Sequence, residues 1–425
     1  MILTDSIKEK INDLFQANQH AGVKSVGLGY KFINGERTDE IGIVFGVFQK
    51  KLKSDLPKDQ ILPSSAIVEG RLIKTDVIEV GEFKMASYCY SQNDPNVIQL
   101  QNPAPGGGDF PMRGGIRIYE FPTGWTINPV NASIGTLGFF ATDNENGRIV
   151  GVTNSHVSVY KREIANEAPQ EANNTAEPVK WIVNNQYYIP TATVAPGNNF
   201  CCNRINRYIP ILAKPAINYV DGCLLIPNPD YIDNNSYRMI QPIDQPTYPA
   251  SMPFATTAEI NNLLLTNGAN LGRVYSTGQT TGPKGWGSGG CRIFVSQVGV
   301  IADTGELFYD QIFFQTSNNT SPIAGGDSGS CVTADINGTI KIIGVMFASN
   351  AGIDPTPAPN SIGAANRIDR FASELNISAF TTPINTSLPT ASLKTMNLAS
   401  YGSSKTIQSG GKTYYQVGLT NNTYP

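Results

Sequence analysis

Histidine is nearly missing from this chain: of 425 residues, only His20 and His156 carry an imidazole. With so few His, and six Cys scattered without metal-ligand spacing, the sequence argues against a transition-metal centre. Charge is sparse too, at 15% of residues. The formal net charge of −3 leaves no electrostatic footprint for nucleic acid or anionic lipid. Long apolar runs are absent, and none approaches the roughly 20 residues of a membrane span. The N-terminal Met1-Ile2-Leu3-Thr4-Asp5 has neither a basic region nor an apolar core, so no secretory signal is expected. Cys201 and Cys202 are adjacent, which suits two structural bridges poorly. The cysteines therefore read as reduced thiols and the chain as cytoplasmic. In that compartment the sequons at Asn131 and Asn337 have no meaning. Gly106-Gly107-Gly108 lacks a following Lys-Ser/Thr and reads as linker rather than phosphate loop.

What is abundant is turn chemistry. Gly 41 and Pro 28, among many Asn, Thr and Ser, suit short strands joined by turns. Residues 6–17 place Ile7, Ile11, Leu14 and Phe15 on one helical face, with Ser6 and Glu9 as a capping box. Strands are expected at Lys24–Lys31 and Glu40–Lys50 around Asn34-Gly35, and a third at Leu72–Glu82. This α+β unit spans 1–85, and a Gly/Pro-rich linker spans 86–112. From Gly114 onward strand follows strand: Ile116–Phe121, Ile134–Thr142, Arg148–Thr153, Val274–Thr277, Cys291–Ile301, Phe308–Thr316 and Thr339–Ala348. The expectation is a mainly β domain over 113–380, a barrel or sandwich, closed by a helix at Arg367–Leu375. Stretches near 160–215 and 228–268 read as long polar loops. A C-terminal extension, 381–425, holds one hairpin candidate at Lys405–Val417.

The chemistry sits in two short motifs, Gly326-Asp327-Ser328-Gly329 and Thr153-Asn154-Ser155-His156-Val157. A Ser hydroxyl becomes a nucleophile only beside an imidazole that takes its proton and a carboxylate that orients the ring. It also needs N–H donors where the oxyanion develops. Glycines flanking Asp327-Ser328 permit a tight backbone on which the N–H groups of Gly326 and Ser328 converge. Alone, such a turn is commonplace; His156 at the end of a strand is what gives it weight. For the carboxylate, Asp221 in Asn218-Tyr219-Val220-Asp221-Gly222-Cys223 lies between the two and beside an apolar strand. Asp143 and Asp303 are the other contenders, both in turn-like contexts.

The order His, Asp, Ser is one of those known for such triads. Thr153–Val157, Val220–Leu225 and Gly325–Ser330 resemble the three motifs of trypsin-like, chymotrypsin-fold serine peptidases. Gly344–Ala348 is similar to their strand lining the substrate cleft. Ser276–Gly282 is similar to a Gly-Arg-Thr-Thr-Gly signature of bacterial members, with Gln279 in place of Arg. The N-terminal unit resembles a domain preceding the peptidase in a group of bacterial proteins. The resemblance implies two six-stranded β-barrels with the site between them, His156 and Asp221 from the first and Ser328 from the second. It implies an acyl-enzyme endopeptidase that needs no cofactor, with a protein or peptide substrate; the appended N-terminal domain also fits a protease regulated by a partner protein. The disulfide usual beside the His is absent, since Asn-Ser-His-Val stands there. No acid occurs in Thr316–Gly325, so a small or apolar side chain, not Arg or Lys, is expected at the cleaved position. Arg113 is a candidate internal cation for Asp327, against a solvated Arg at a linker end or cleavage within 102–113. Two other readings stay open: self-processing, and a catalytically silent peptide-binding module on the same fold.

Overall fold

The computed structural model describes residues 4–33, 36–85, 88–89, 115–121, 133–158, 180–183, 202–209, 211–212, 215–227, 252–265, 273–278, 282–284, 291–301, 305–316, 323–350, 362–379, 406–409 and 412–415. Helix α1 (Asp5–Asn18) leads into β1 (Val23–Ile33), β2 (Glu36–Val47), β3 (Ser65–Val68) and β4 (Arg71–Glu79). Ile7, Ile11 and Phe15 are its buried face, as the periodicity predicts. The cap differs from expectation: Thr4, not Ser6, precedes the helix, and its hydroxyl accepts from Ile7 N at 3.2 Å. β1 and β2 pair antiparallel, and the Asn34-Gly35 turn lies outside the described residues. β3, which the sequence reading missed, pairs with β4 through Ser65↔Lys74 to Val68↔Arg71.

After β5 (Lys84–Met85) and β6 (Tyr88–Cys89) come β7 (Ile116–Phe121), β8 (Ser133–Leu137), β9 (Phe139–Asp143) and β10 (Arg148–Thr153). The single strand expected over 134–142 is thus broken at Gly138. There the backbone touches the loop carrying Ser328 so closely that a Cβ would stand 2.2 Å from Gly329 O. A one-turn helix α2 (Ser155–Ser158) follows. Then come β11 (Lys180–Val183), β12 (Cys202–Tyr208), β13 (Ile217–Asn218) and β14 (Cys223–Pro227). β12 falls inside a stretch expected to be loop. Its polar sequence hides a strand whose Arg207 is buried against Asp143, 2.5 Å away. Helix α3 (Thr257–Leu265) likewise interrupts the second expected loop.

The C-terminal half contains β15 (Arg273–Gly278), β16 (Gly282–Lys284), β17 (Cys291–Ile301), β18 (Leu307–Phe308), β19 (Gln311–Thr316), β20 (Cys331–Ile336), β21 (Thr339–Ser349) and β22 (Ile362–Arg367). Helix α4 (Ile368–Glu374), β23 (Ile377–Ala379) and the hairpin β24 (Thr406–Ser409) and β25 (Lys412–Tyr415) complete the described chain. The expected helix and C-terminal hairpin are both present.

The mainly β expectation holds. Strands β15, β20, β21, β22, β19 and β17 pair in that order, and β17 pairs back to β15, which closes a ring. The preceding half forms two sheets, β12-β14-β10-β9-β23 and β11-β7-β8-β6. They meet where Gly138 N donates to Val152 O at 2.8 Å. One core spans both halves, with Phe139, Val152 and Leu224 packed among Val274, Phe314 and Val345, under Phe371 and Leu375. The N-terminal sheet continues the ring's wall. β15 leaves β17 after Arg292, and β1 takes up the same strand from Val295 to Val300. An otherwise unpaired edge is thereby covered.

Candidate active site

Three loops bring the chemistry together at the join of the two halves. β10 ends at Thr153 and α2 presents His156. β14 is preceded by Asp221. Ser328 lies in the turn before β20. His156 Nε2 is 2.7 Å from Ser328 Oγ, and His156 Nδ1 makes a short hydrogen bond with Asp221 Oδ2. All three expected residues therefore converge in one hydrogen-bonded chain, Asp221–His156–Ser328.

The contenders for the carboxylate separate cleanly. Asp143 is buried in the β9–β10 hairpin, where it accepts from Glu145 N, Asn146 Nδ2 and Arg207. It is a turn-locking residue. Asp303 lies outside the described residues, as do Arg113, Gln279 and residues 317–322.

Asp221 is held on every side. Its Oδ1 accepts from Ser155 Oγ at 2.7 Å and from His156 N at 3.0 Å. Its own N–H donates to Asn366 Oδ1 at 3.0 Å, and its carbonyl accepts from Asn154 Nδ2 at 2.7 Å. Asn366 in turn donates to Gln311 Oε1 at 2.6 Å, and Gln311 Nε2 donates to Tyr219 O at 3.0 Å. Burial by itself would raise the Asp221 pKa. The neighbouring His156 charge and the donors of His156 and Ser155 outweigh it and hold the carboxyl below its ordinary value. Asp221 is therefore ionised at neutral pH and able to stabilise an imidazolium.

The nucleophile turn has a defined geometry. Asp327 N donates to Ala324 O at 3.0 Å, closing a four-residue turn, and Gly326 at its third position has φ +94°. A positive φ at the third position is what a type II turn requires, and it favours glycine there. It fixes the plane of the Gly325–Gly326 peptide, whose N–H is one of the two expected oxyanion donors. Among the described residues, neither Gly326 N nor Ser328 N has a hydrogen-bond partner. Asp327 turns inward instead: its Oδ2 accepts from Ala324 N at 3.0 Å, and its Oδ1 sits 2.3 Å from where a Cβ on Gly278 would be. That contact explains the glycine in the Ser276–Gly282 motif.

Four residues that position the site escaped the sequence reading. Thr136 of β8 donates through Oγ1 to Gly326 O at 2.9 Å and through N to Ser328 O at 2.7 Å. Ser155, Asn366 and Gln311 form the bracket around Asp221. Only Ser155 carried a local signal, its place beside His156. The others become visible only when distant strands meet. Cys331, three residues past Ser328, is buried, and that burial drives its thiol pKa well up.

No protein-family model and no curated protein matches the chain. Among solved structures it is similar to a glutamic acid specific serine protease described as using a histidine triad in substrate binding. That match has 13% identity and TM-score 0.37 and covers 63% of this chain and 100% of that one. Thermobifida fusca protease A matches at 14% identity and TM-score 0.32, covering 64% of this chain and 99% of its own. Cellulomonas bogoriensis chymotrypsin matches at 11% identity and TM-score 0.32, over 64% and 99%.

Proposed function

We propose that the chain is a serine endopeptidase working through an acyl-enzyme. The observation that carries this reading is the buried chain from Asp221 through His156 to Ser328, beside two unengaged N–H groups. In the first step Ser328 Oγ attacks the substrate carbonyl carbon while its proton passes to His156 Nε2. The carbonyl oxygen becomes an oxyanion and accepts from the N–H groups of Gly326 and Ser328. Collapse breaks the C–N bond, and the leaving amine takes the proton from His156. Water then repeats the sequence against the ester and frees Ser328. Asp221 keeps the ring oriented and offsets its transient positive charge; no cofactor enters. With no acid in Thr316–Gly325, the residue preceding the cut is small or apolar rather than basic.

Both reacting side chains are fully buried. This strengthens the electrostatic interactions inside the site.

Fluorophosphonate labelling read by intact mass tests the proposal. One adduct on Ser328 is expected in wild type, with none in Ser328→Ala. In His156→Ala the rate should fall by roughly 10³–10⁶. Equal labelling of wild type and His156→Ala would refute an activated nucleophile. Comparing the purified chain length of wild type and Ser328→Ala separates turnover of other proteins from a single self-cut.

A further inference from the structure

Away from the triad, the N-terminal unit contains a half-open cavity of about 700 Å³. It lies between the turn at 20–22, the end of β2, the segment 48–64 and the middle of β4. The size falls within the range of roughly 300–1,000 Å³ typical of small-molecule sites. Its walls include Phe48, Leu52, Leu56, Ile61 and Val77. Phe48 is 53% exposed and Leu52 72%, so the mouth holds large apolar side chains in water.

The charges at this cavity are one-sided. Lys50, Lys51 and Lys53 line it, all three are exposed, and none makes an ion pair among the described residues. Asp76 is the one acidic residue of the lining, and its Oδ1 already accepts from Val77 N at 2.8 Å. Other polar groups of the wall are also engaged internally. The Thr75 hydroxyl donates to Pro63 O, and the His20 ring bonds Asp59 O at 2.8 Å. An occupant therefore meets walls that are largely apolar and three exposed lysines that outnumber the one acidic residue of the lining, with the Glu79 carboxylate accepting from Lys50 N at 3.0 Å beside them.

We propose that this cavity binds a small amphipathic carboxylate, its unfunctionalised apolar chain against Phe48, Leu52 and Val77 and its anionic head among Lys50, Lys51 and Lys53. Desolvation of the apolar body supplies the affinity, and the lysines supply the preference for an anion. This inference is independent of the peptidase reading, because no residue of the cavity belongs to the triad or its supports.

Calorimetric titration of the full chain with sodium dodecanoate, kept below its micelle-forming concentration, tests it. Dodecyltrimethylammonium and a short apolar peptide with a free C-terminus serve as comparison probes. Saturable binding of one dodecanoate per chain is expected, with no matching site for the cationic probe. Lys50→Gln, Lys51→Gln and Lys53→Gln together should weaken dodecanoate roughly tenfold, since each exposed charge contributes little. Leu52→Asp should weaken it further. All four positions are exposed, so the thermal midpoint of the free variants should stay at the wild-type value. Equal binding of the anionic and cationic probes, or dodecanoate binding unchanged in both sets of variants, would overturn the proposal. Tighter binding of the peptide than of dodecanoate would overturn it in favour of a polypeptide end as the occupant.

Discussion

At the scale of single residues, the site's chemistry is set by what surrounds Asp221. A carboxylate in a fully buried place is costly unless it is paired and hydrogen-bonded. Here His156, Ser155 and the His156 main chain meet that demand, and the folded pKa lies below the ordinary 3.8. The linkage has a definite sign. Unfolded Asp221 binds a proton more readily than folded Asp221, so its ionised form stabilises the fold above pH 3.8, and the contribution fades as pH falls from there toward the lower folded value. Urea unfolding of wild type and Asp221→Asn should therefore show a stability gap that persists through mild acid and narrows below pH 3.8. A gap that stays constant far below that value would mean the carboxyl is not held ionised by its neighbours. At this scale the sequence was most legible. His156, Asp221 and Ser328 are each singled out by side-chain type and local turn, and the structure places Asp221 and Ser328 each within hydrogen-bonding distance of His156. The sequence already favours Asp221 over Asp143, because Asp221 lies beside an apolar strand and Asp143 in a turn. What separates them in the structure is the buried Arg207 that claims Asp143.

At the scale of elements, the nucleophile turn is the informative piece. Its glycines are not interchangeable with other small residues. Gly326 sits at φ +94° and Gly329 at φ +92°, and a Cβ on Gly329 would meet Thr136 O at 2.2 Å. Gly326→Ala should favour a turn with the Gly325–Gly326 peptide rotated, withdrawing one oxyanion donor. The expected cost is a loss of roughly 10²–10³ in kcat with KM little changed, from steady-state kinetics on a peptide substrate. A variant as active as wild type would remove that N–H from the mechanism. The strand boundary at Asn337-Gly338, where both φ values are positive, was legible, whereas the similar turn at Glu69-Gly70 that ends β3 was missed. Boundaries were also illegible at Gly138 and in β12. A close backbone contact breaks the first, and a buried ion pair gives the second its polar sequence.

At the scale of the whole molecule, the N-terminal unit and the ring are continuous. β1 extends the edge of β17, and Phe83 and Val44 share a core with Phe313 and Phe347. Lys8 of α1 reaches Asp310 at 2.7 Å, where Arg367 Nη1 also arrives at 3.2 Å. Arg367 follows Asn366, the residue that accepts from Asp221 N. The first helix is thus two contacts from the triad's support. Lys8→Ala should lower stability by about 1–3 kcal/mol, since it leaves a nearly buried carboxylate short of one charged partner. Calorimetry should show one cooperative transition shifted down, rather than loss of a separate early one. An unshifted transition would mean that this contact does not couple the helix to the ring.

The sequence by itself determined the strand-rich character and singled out His156, Asp221 and Ser328, with the turns that carry them, as the candidate site. Those depend on side-chain identity and on conformations set within a few residues. Only the tertiary structure decided what holds them in place. Thr136 and Gly326 are 190 positions apart, and Asp221 and Asn366 are 145 apart. Neither pair has a local signature, because each is created by strands of different sheets packing at one join. The same is true of the N-terminal cavity, whose lysines and apolar walls are unremarkable in the chain and form a site only once β2, β4 and the segment between them close around it.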